Sequence, residues 1–131
     1  MSERLAARGA GKGRLAESLA ATFLERAGFR IVARNWRCHG PEAGELDIVA
    51  DDAGTCVFVE VRSRTGEEQG YPLEAITPSK RAQVIRIARL YLAAETPAAA
   101  GYRFDVVAVT FWDDGRPPDL VHVPDAFEVA G

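Results

Sequence analysis

Asp47, Glu60 and Arg62 sit in one short run, residues 44–64, which reads GELDIVADDAGTCVFVEVRSR. Two carboxylates within reach of each other can hold a hard divalent cation through oxygen. Glu60 is the odd residue of the run. It interrupts Cys56-Val57-Phe58-Val59 and is followed by Val61. A carboxylate inside a β run is costly unless a cation or a hydrogen-bond donor pairs with it. Its candidate partners are Arg62, two residues on, and a metal ion shared with Asp47. The plainer reading is a half-exposed strand glutamate that is salt-bridged to Arg62. The spacing of these three residues leaves both open.

The chemistry depends on a hairpin. Two apolar stretches, 45–50 and 56–62, flank the tetrad Asp51-Asp52-Ala53-Gly54, a turn signal. With the whole tetrad as loop, Ala50 faces Thr55, Ile48 faces Val57 and Leu46 faces Val59. Side chains alternate with period two. Leu46, Ile48, Ala50, Val57, Val59 and Val61 then share an apolar face. Glu45, Asp47, Val49, Phe58, Glu60 and Arg62 share the other. In this register Asp47 faces Phe58 and lies diagonal to Glu60, at about 7–8 Å between backbone positions. A slip of one residue would separate the two acids.

The flanking elements follow from periodicity and punctuation. Residues 1–11 are rich in Arg, Ala and Gly and read as a flexible basic arm. Residues 12–131 read as a single domain. A helix is predicted over 12–27, with Leu15, Ala16, Leu19, Ala20, Phe23, Leu24 and Ala27 on one stripe and Gly28 as its stop. Glu17 lies at the edge of that stripe, either looking into a cleft or simply solvated. A strand follows over 29–36, then a loop over 38–43. Residues 66–71 are polar and read as a flexible loop. Thr77-Pro78 starts a helix that runs to about 94, with Val84, Ile85, Ala88, Tyr91 and Leu92 inward. A strongly β run spans 102–111. A final short strand spans 120–123, and Asp125 is expected to cap a terminal helical turn. The order is α-β-β-β-α-β-β.

At 131 residues, 47% of them apolar and 27% charged, the chain has the balance of one ordinary globular domain. No apolar run is long enough to span a bilayer, and the start shows no secretory h-region. Cys38 and Cys56 have no C-x-x-C spacing and read as reduced thiols. Cys38-His39, without further ligand types nearby, reads as non-metal. Together these features point to a cytoplasmic protein with no membrane partner. The net charge of −3 argues against a general nucleic-acid coat. Its distribution is uneven, with +5 over residues 1–40 and −4 over each of 41–100 and 101–131. Of the basic residues only Lys12 and Lys80 are lysine. The rest are arginine, the better fork for phosphate.

A helix glutamate, a strand aspartate and an E-x-R at the end of the next strand, in the order α-β-β-β-α-β, resemble the restriction-endonuclease-like superfamily, the PD-(D/E)-x-K nucleases. More closely, GRLAESLAATFLERAGFRIVARNWR, GELDIVA, VFVEVRSR, ITPSKR and YRFDVVAV resemble the YraN-like family of bacterial proteins. These segments cover most of residues 13–110. The resemblance implies a nuclease-like α/β domain with a mixed central sheet flanked by helices, related to archaeal Holliday-junction resolvases. It implies that Asp47 and Glu60 bind Mg²⁺ or Mn²⁺ and that Glu17 matches the first-helix glutamate of the resolvase-like branch. Such an ion would acidify a water and polarise phosphorus. Arg62 stands where the superfamily has its lysine. An arginine stays protonated, so it can stabilise charge on phosphate but cannot act as a base.

Arg64, Lys80 and Arg37 are expected to contact the nucleic-acid backbone, Lys80 from a helix N-terminus. The implied function is a metal-dependent endonuclease-like protein acting on DNA, with branched DNA among the substrates. Two alternatives keep the same fold. One is a nucleic-acid-binding module without catalysis; the other is an interaction subunit of a DNA-processing complex. Resolvase-like relatives work as dimers, so the resemblance also admits a homodimer.

Overall fold

The computed structural model describes residues 2–41, 43–66 and 76–128. The elements are α1 (Ser2–Arg26), β1 (Arg30–Cys38), β2 (Gly44–Asp52), β3 (Thr55–Thr65), α2 (Pro78–Glu95), β4 (Gly101–Phe111) and β5 (Asp119–Phe127). They form a mixed α/β domain around one five-stranded sheet of order β1-β2-β3-β4-β5. Neighbours pair antiparallel except β3 and β4, which run parallel. A parallel pair needs a crossover, and α2 lies within it. The predicted order of elements is the observed one. Helical backbone extends to Ser2, through the stretch that composition marked as a basic arm.

The sheet is covered on both faces. On one, Ala16, Ala20, Ala21 and Leu24 of α1 meet Ile48, Ala50, Val57, Val59, Val107 and Val109. The buried stripe is narrower than the periodicity suggested, because Leu15 and Phe23 stay exposed. Alanines at the contact let the helix lie close to a β-branched surface. On the other face Val84, Ile87, Ala88 and Tyr91 of α2 meet Val49, Phe58, Phe104 and Val106. Ile87, fully buried, takes the inward place expected for Ile85, which is half-buried. Thr77 caps α2 as predicted: its Oγ1 accepts from the Lys80 N–H at 3.1 Å. Among the described residues, no helix is long and apolar enough to cross a membrane.

The β2–β3 hairpin is tighter than expected. Its last pair is Asp52–Thr55, so the loop is Ala53-Gly54 alone. Both residues have positive φ, 49° and 95°. That is the backbone of a two-residue turn whose twist matches the strands, and a glycine adopts it without strain. The register therefore moves by two residues, pairing Ile48 with Val59 and Ala50 with Val57. A shift of two preserves which face each side chain takes, so Ile48, Ala50, Val57 and Val59 share the α1 face as predicted.

The end of the chain also differs from expectation. β5 continues to Phe127, and Asp125 starts no helical turn. The cause is Asp105, which is fully buried on β4. It accepts from Arg103 Nε at 3.0 Å and from the Asp125 N–H at 2.9 Å, and it lies 2.8 Å from His122 Nε2. β5 bulges there, between the pairs Phe104–Phe127 and Val106–Val123, with Asp125 at φ 50°. Arg103 also reaches Asp52 Oδ2 at 2.9 Å. Burial alone would raise the Asp105 pKa, but His122, Arg103 and the Asp125 N–H outweigh it and hold the carboxyl below its usual range. Its folded value is depressed, so its contribution to stability is present above the unfolded value of about 3.9 and is lost as pH falls through the folded value. Asp105→Ala, which leaves Arg103 and His122 facing a void, is expected to cost about 3–5 kcal/mol in urea denaturation at neutral pH. A loss under about 1 kcal/mol would show that the network does not carry this share of the stability.

Candidate functional site

The site begins with a break in strand alternation. Arg34 pairs with Ile48 and Trp36 pairs with Leu46. Arg34 Nη2 donates to Ser18 Oγ on α1 at 3.1 Å. Trp36, two residues on, makes an edge contact with Tyr91 on α2, with ring centroids 5.2 Å apart. Residues i and i+2 of one strand thus face opposite sides. The residue between them, Asn35, has φ 52°, a left-handed conformation that asparagine tolerates better than most. β2 turns over at the same level: Ile48 belongs to the α1 core but Leu46 to the α2 core. The expectation that Leu46 shares the face of Ile48 is therefore corrected, and the cause is this paired kink.

The turnover gathers carboxylates. Asn35 Nδ2 donates to Glu17 Oε2 at 2.8 Å and to Glu45 Oε1 at 2.7 Å. One oxygen from each of Glu17, Glu45 and Asp47 lies within 4.8 Å of the other two. The β2–β3 ladder ends at Ile48–Val59, so Asp47 does not face Phe58. That partner is Val49, and Asp47 stands one step beyond the last pair, at the level of Glu60. Its Oδ2 accepts from the Val61 N–H at 2.8 Å, taking a donor that a regular ladder would give to backbone. Glu60 is 4% exposed. It shares a hydrogen bond with Asp47 and lies 3.6 Å from Lys80 Nζ and 3.8 Å from Arg62 Nη1.

Burial and then the charges of Glu60 and Glu17 push the Asp47 carboxyl up to about 8, against the Val61 N–H and Lys80. Burial raises Glu60 too, opposed by Lys80, Arg62 and the bond to Asp47. The pair thus keeps a proton to higher pH than a free carboxylate would, and Glu60 has two cations beside it. An all-oxygen donor set of this kind suits Mg²⁺ or Mn²⁺, and binding must displace that proton.

An open cleft of about 590 Å³ lies against these groups, lined by Arg37, His39, Gly44, Glu45, Asp47 and Lys80 among others. Glu17, Asp47 and Glu60, predicted as a set, come together. Arg62 and Lys80 both flank Glu60. Arg37 pairs with Glu45 at 3.1 Å. Arg64 turns away along the sheet, its Nε donating to Thr110 Oγ1 at 2.9 Å. Glu45 and Asn35 were not singled out from sequence. Glu45 carried a signal, since it stands two residues from Asp47 on the same predicted face. Asn35 carried only its polarity, because a left-handed residue inside a strand leaves no periodic trace.

Gly44 closes the back of the cleft. A Cβ there would stand 2.6 Å from Ile87 Cδ1, in the α2 core. Gly44→Ala is therefore expected to lower stability by about 1–3 kcal/mol, the scale of an overpacked core, in a denaturant titration. Stability equal to the parent would mean that Ile87 has room to move. Asp47 makes a second prediction. Its folded value is raised, so the stability it contributes is present below the unfolded value, about 3.9, and is lost as pH rises towards about 8. Without divalent cations the melting temperature should fall across that window, and Asp47→Asn should flatten the fall. Parallel profiles for the two proteins would contradict this reading.

Comparison with known proteins agrees with the segments noted above. Residues 16–109 match the model of the uncharacterised protein family UPF0102. A UPF0102 protein of Geobacter metallireducens is 46% identical over 118 residues, 90% of this chain and 93% of its own. One of Syntrophus aciditrophicus is 42% identical, over 90% of this chain and 89% of its own. One of Nocardia farcinica is 50% identical over 101 residues, 77% of each chain. The chain belongs to the UPF0102 family, the YraN-like family that its segments resemble.

Proposed function

We propose that this protein is a divalent-metal-dependent phosphodiesterase of the restriction-endonuclease-like superfamily, acting on DNA. One observation carries the reading: Glu17, Glu45, Asp47 and Glu60 converge from one helix and two strands, beside a cleft lined by Lys80 and Arg37 and with Arg62 against Glu60. The order α-β-β-β-α-β-β and the parallel β3–β4 pair support the superfamily assignment. Asp47 and Glu60 would hold the ion, with Glu17 beside them. When bound, Mg²⁺ or Mn²⁺ supplies Lewis acidity towards phosphate oxygen and a more acidic water.

The chain's own residues do the rest. Lys80 and Arg37 attract the phosphate backbone into the cleft. Arg62, always protonated, faces the charge that builds on phosphorus. Arg62 cannot take a proton from water, so the pH dependence of cleavage belongs to the carboxylates and to water. Losing the proton that Asp47 and Glu60 hold frees a ligand oxygen, and cleavage is therefore expected to rise with pH.

The test is cleavage of linear and branched duplex DNA with Mn²⁺. Glu60→Gln is expected to abolish cutting. Arg62→Ala should lose about 10²-fold or more, the scale of one transition-state stabiliser, while Arg62→Lys should keep or raise the rate. Arg62→Ala should still bind DNA nearly as well as the parent, because only one of several phosphate contacts is removed. DNA binding with no cutting of any substrate, by the parent and by Arg62→Lys, would favour the non-catalytic binding module. Neither binding nor cutting would favour an interaction subunit.

A further inference from the structure

We propose that Asn35 is a positioning residue that sets the geometry of the cation site, with Glu45 as one of the carboxylates it presents. The inference rests on the functional reading above and adds two residues to it. Asn35 does two jobs from one position. Its left-handed backbone, φ 52°, lies where β1 turns over. Its amide then bridges Glu17 of α1 and Glu45 of β2, at 2.8 and 2.7 Å. The two hydrogens of one amide nitrogen match two acceptors.

The choice of residue is constrained. Glycine would accept the backbone but offers no donor. Aspartate tolerates the backbone too, but would set a third negative charge against two carboxylates. Lysine or arginine would satisfy both carboxylates and cancel the charge that a cation needs. Asparagine binds both acids and stays neutral. Arg37 Nε, 3.1 Å from Glu45 Oε2, holds the other side of Glu45. Glu45 is thus fixed from both ends, close to Glu17 and Asp47. Partners that orient metal-binding carboxylates are usually worth 10–100-fold in affinity.

The experiment is Mn²⁺ titration of the full chain by calorimetry, with melting curves recorded in chelator and in Mn²⁺. Asn35→Gly keeps the backbone and deletes the amide. It is expected to weaken Mn²⁺ binding by about tenfold or more while melting in chelator close to the parent. Glu45→Gln is expected to weaken Mn²⁺ binding as well, and Asp47→Asn to remove it. Asn35→Gly binding Mn²⁺ as tightly as the parent, with Asp47→Asn still losing it, overturns the role of Asn35 and leaves the functional reading standing. A parent that binds no Mn²⁺ overturns both. Asn35→Asp keeps the test decisive should the glycine variant fold poorly. It should melt below the parent in chelator, and Mn²⁺ should raise its melting temperature by more than it raises the parent's. Equal increments overturn the proposal.

Discussion

Asp47 accepts a backbone hydrogen bond that a regular sheet would give to a carbonyl, and the geometry of the site depends on that substitution. The Val61 N–H turns to a carboxylate. β2 is thereby freed from strict pairing beyond Ile48. Leu46 rotates into the α2 core, and Glu45 turns towards α1. Asn35 makes the matching turn in β1. Without both turns, Trp36 and Leu46 would compete with Arg34 and Ile48 for the α1 face, and Glu17 would have no carboxylate neighbours.

Asp47 and Asp105 show what surroundings do to one side chain. Asp105 is the more deeply enclosed, yet its carboxyl is held below its usual range, because Arg103, His122 and the Asp125 N–H all face it. Asp47 meets other carboxylates and one nearby lysine, and its carboxyl is pushed up. The first is a finished network that ties β5 to β4 and β4 to the β2–β3 turn. The second is a group of carboxylates crowded together, in which burial and like charge hold a proton. Strong perturbation by burial and like charge, beside a cleft, marks functional sites more often than structural ones. That contrast is the physical ground for placing the proposed chemistry at Asp47 and leaving Asp105 to the fold.

The helices serve this arrangement from opposite sides. α1 brings Glu17 in on a surface of alanines that allows a close approach. α2 brings Lys80 to Glu60 through a first turn fixed by Thr77 and Pro78. Ile87 on the same helix presses against Gly44, so the cleft wall and the α2 core share one contact. Changes in packing on that face therefore bear on the position of β2, where Glu45 and Asp47 stand.

Much of this was legible in the residues. Alternation in 48–50 and 56–59 gave the two faces of the hairpin next to its turn, because period two survives a shift of two residues in register. Thr77-Pro78 marked the start of α2 through capping chemistry alone. Glu60 stood out as a charge inside an apolar run, Asp47 as a carboxylate within its reach, and Glu17 through the resemblance. The tertiary structure decided the rest. The turn shrank to Ala53-Gly54 because strand twist favours two positive φ values. Leu46 changed face and Glu45 joined the acids because Asn35 and Asp47 break the period on which sequence patterns rest. β5 ran on past its apolar residues because a buried carboxylate on β4 draws in the Asp125 N–H. In each case a long-range polar contact overrode a local pattern, and such contacts leave no periodic mark in the chain.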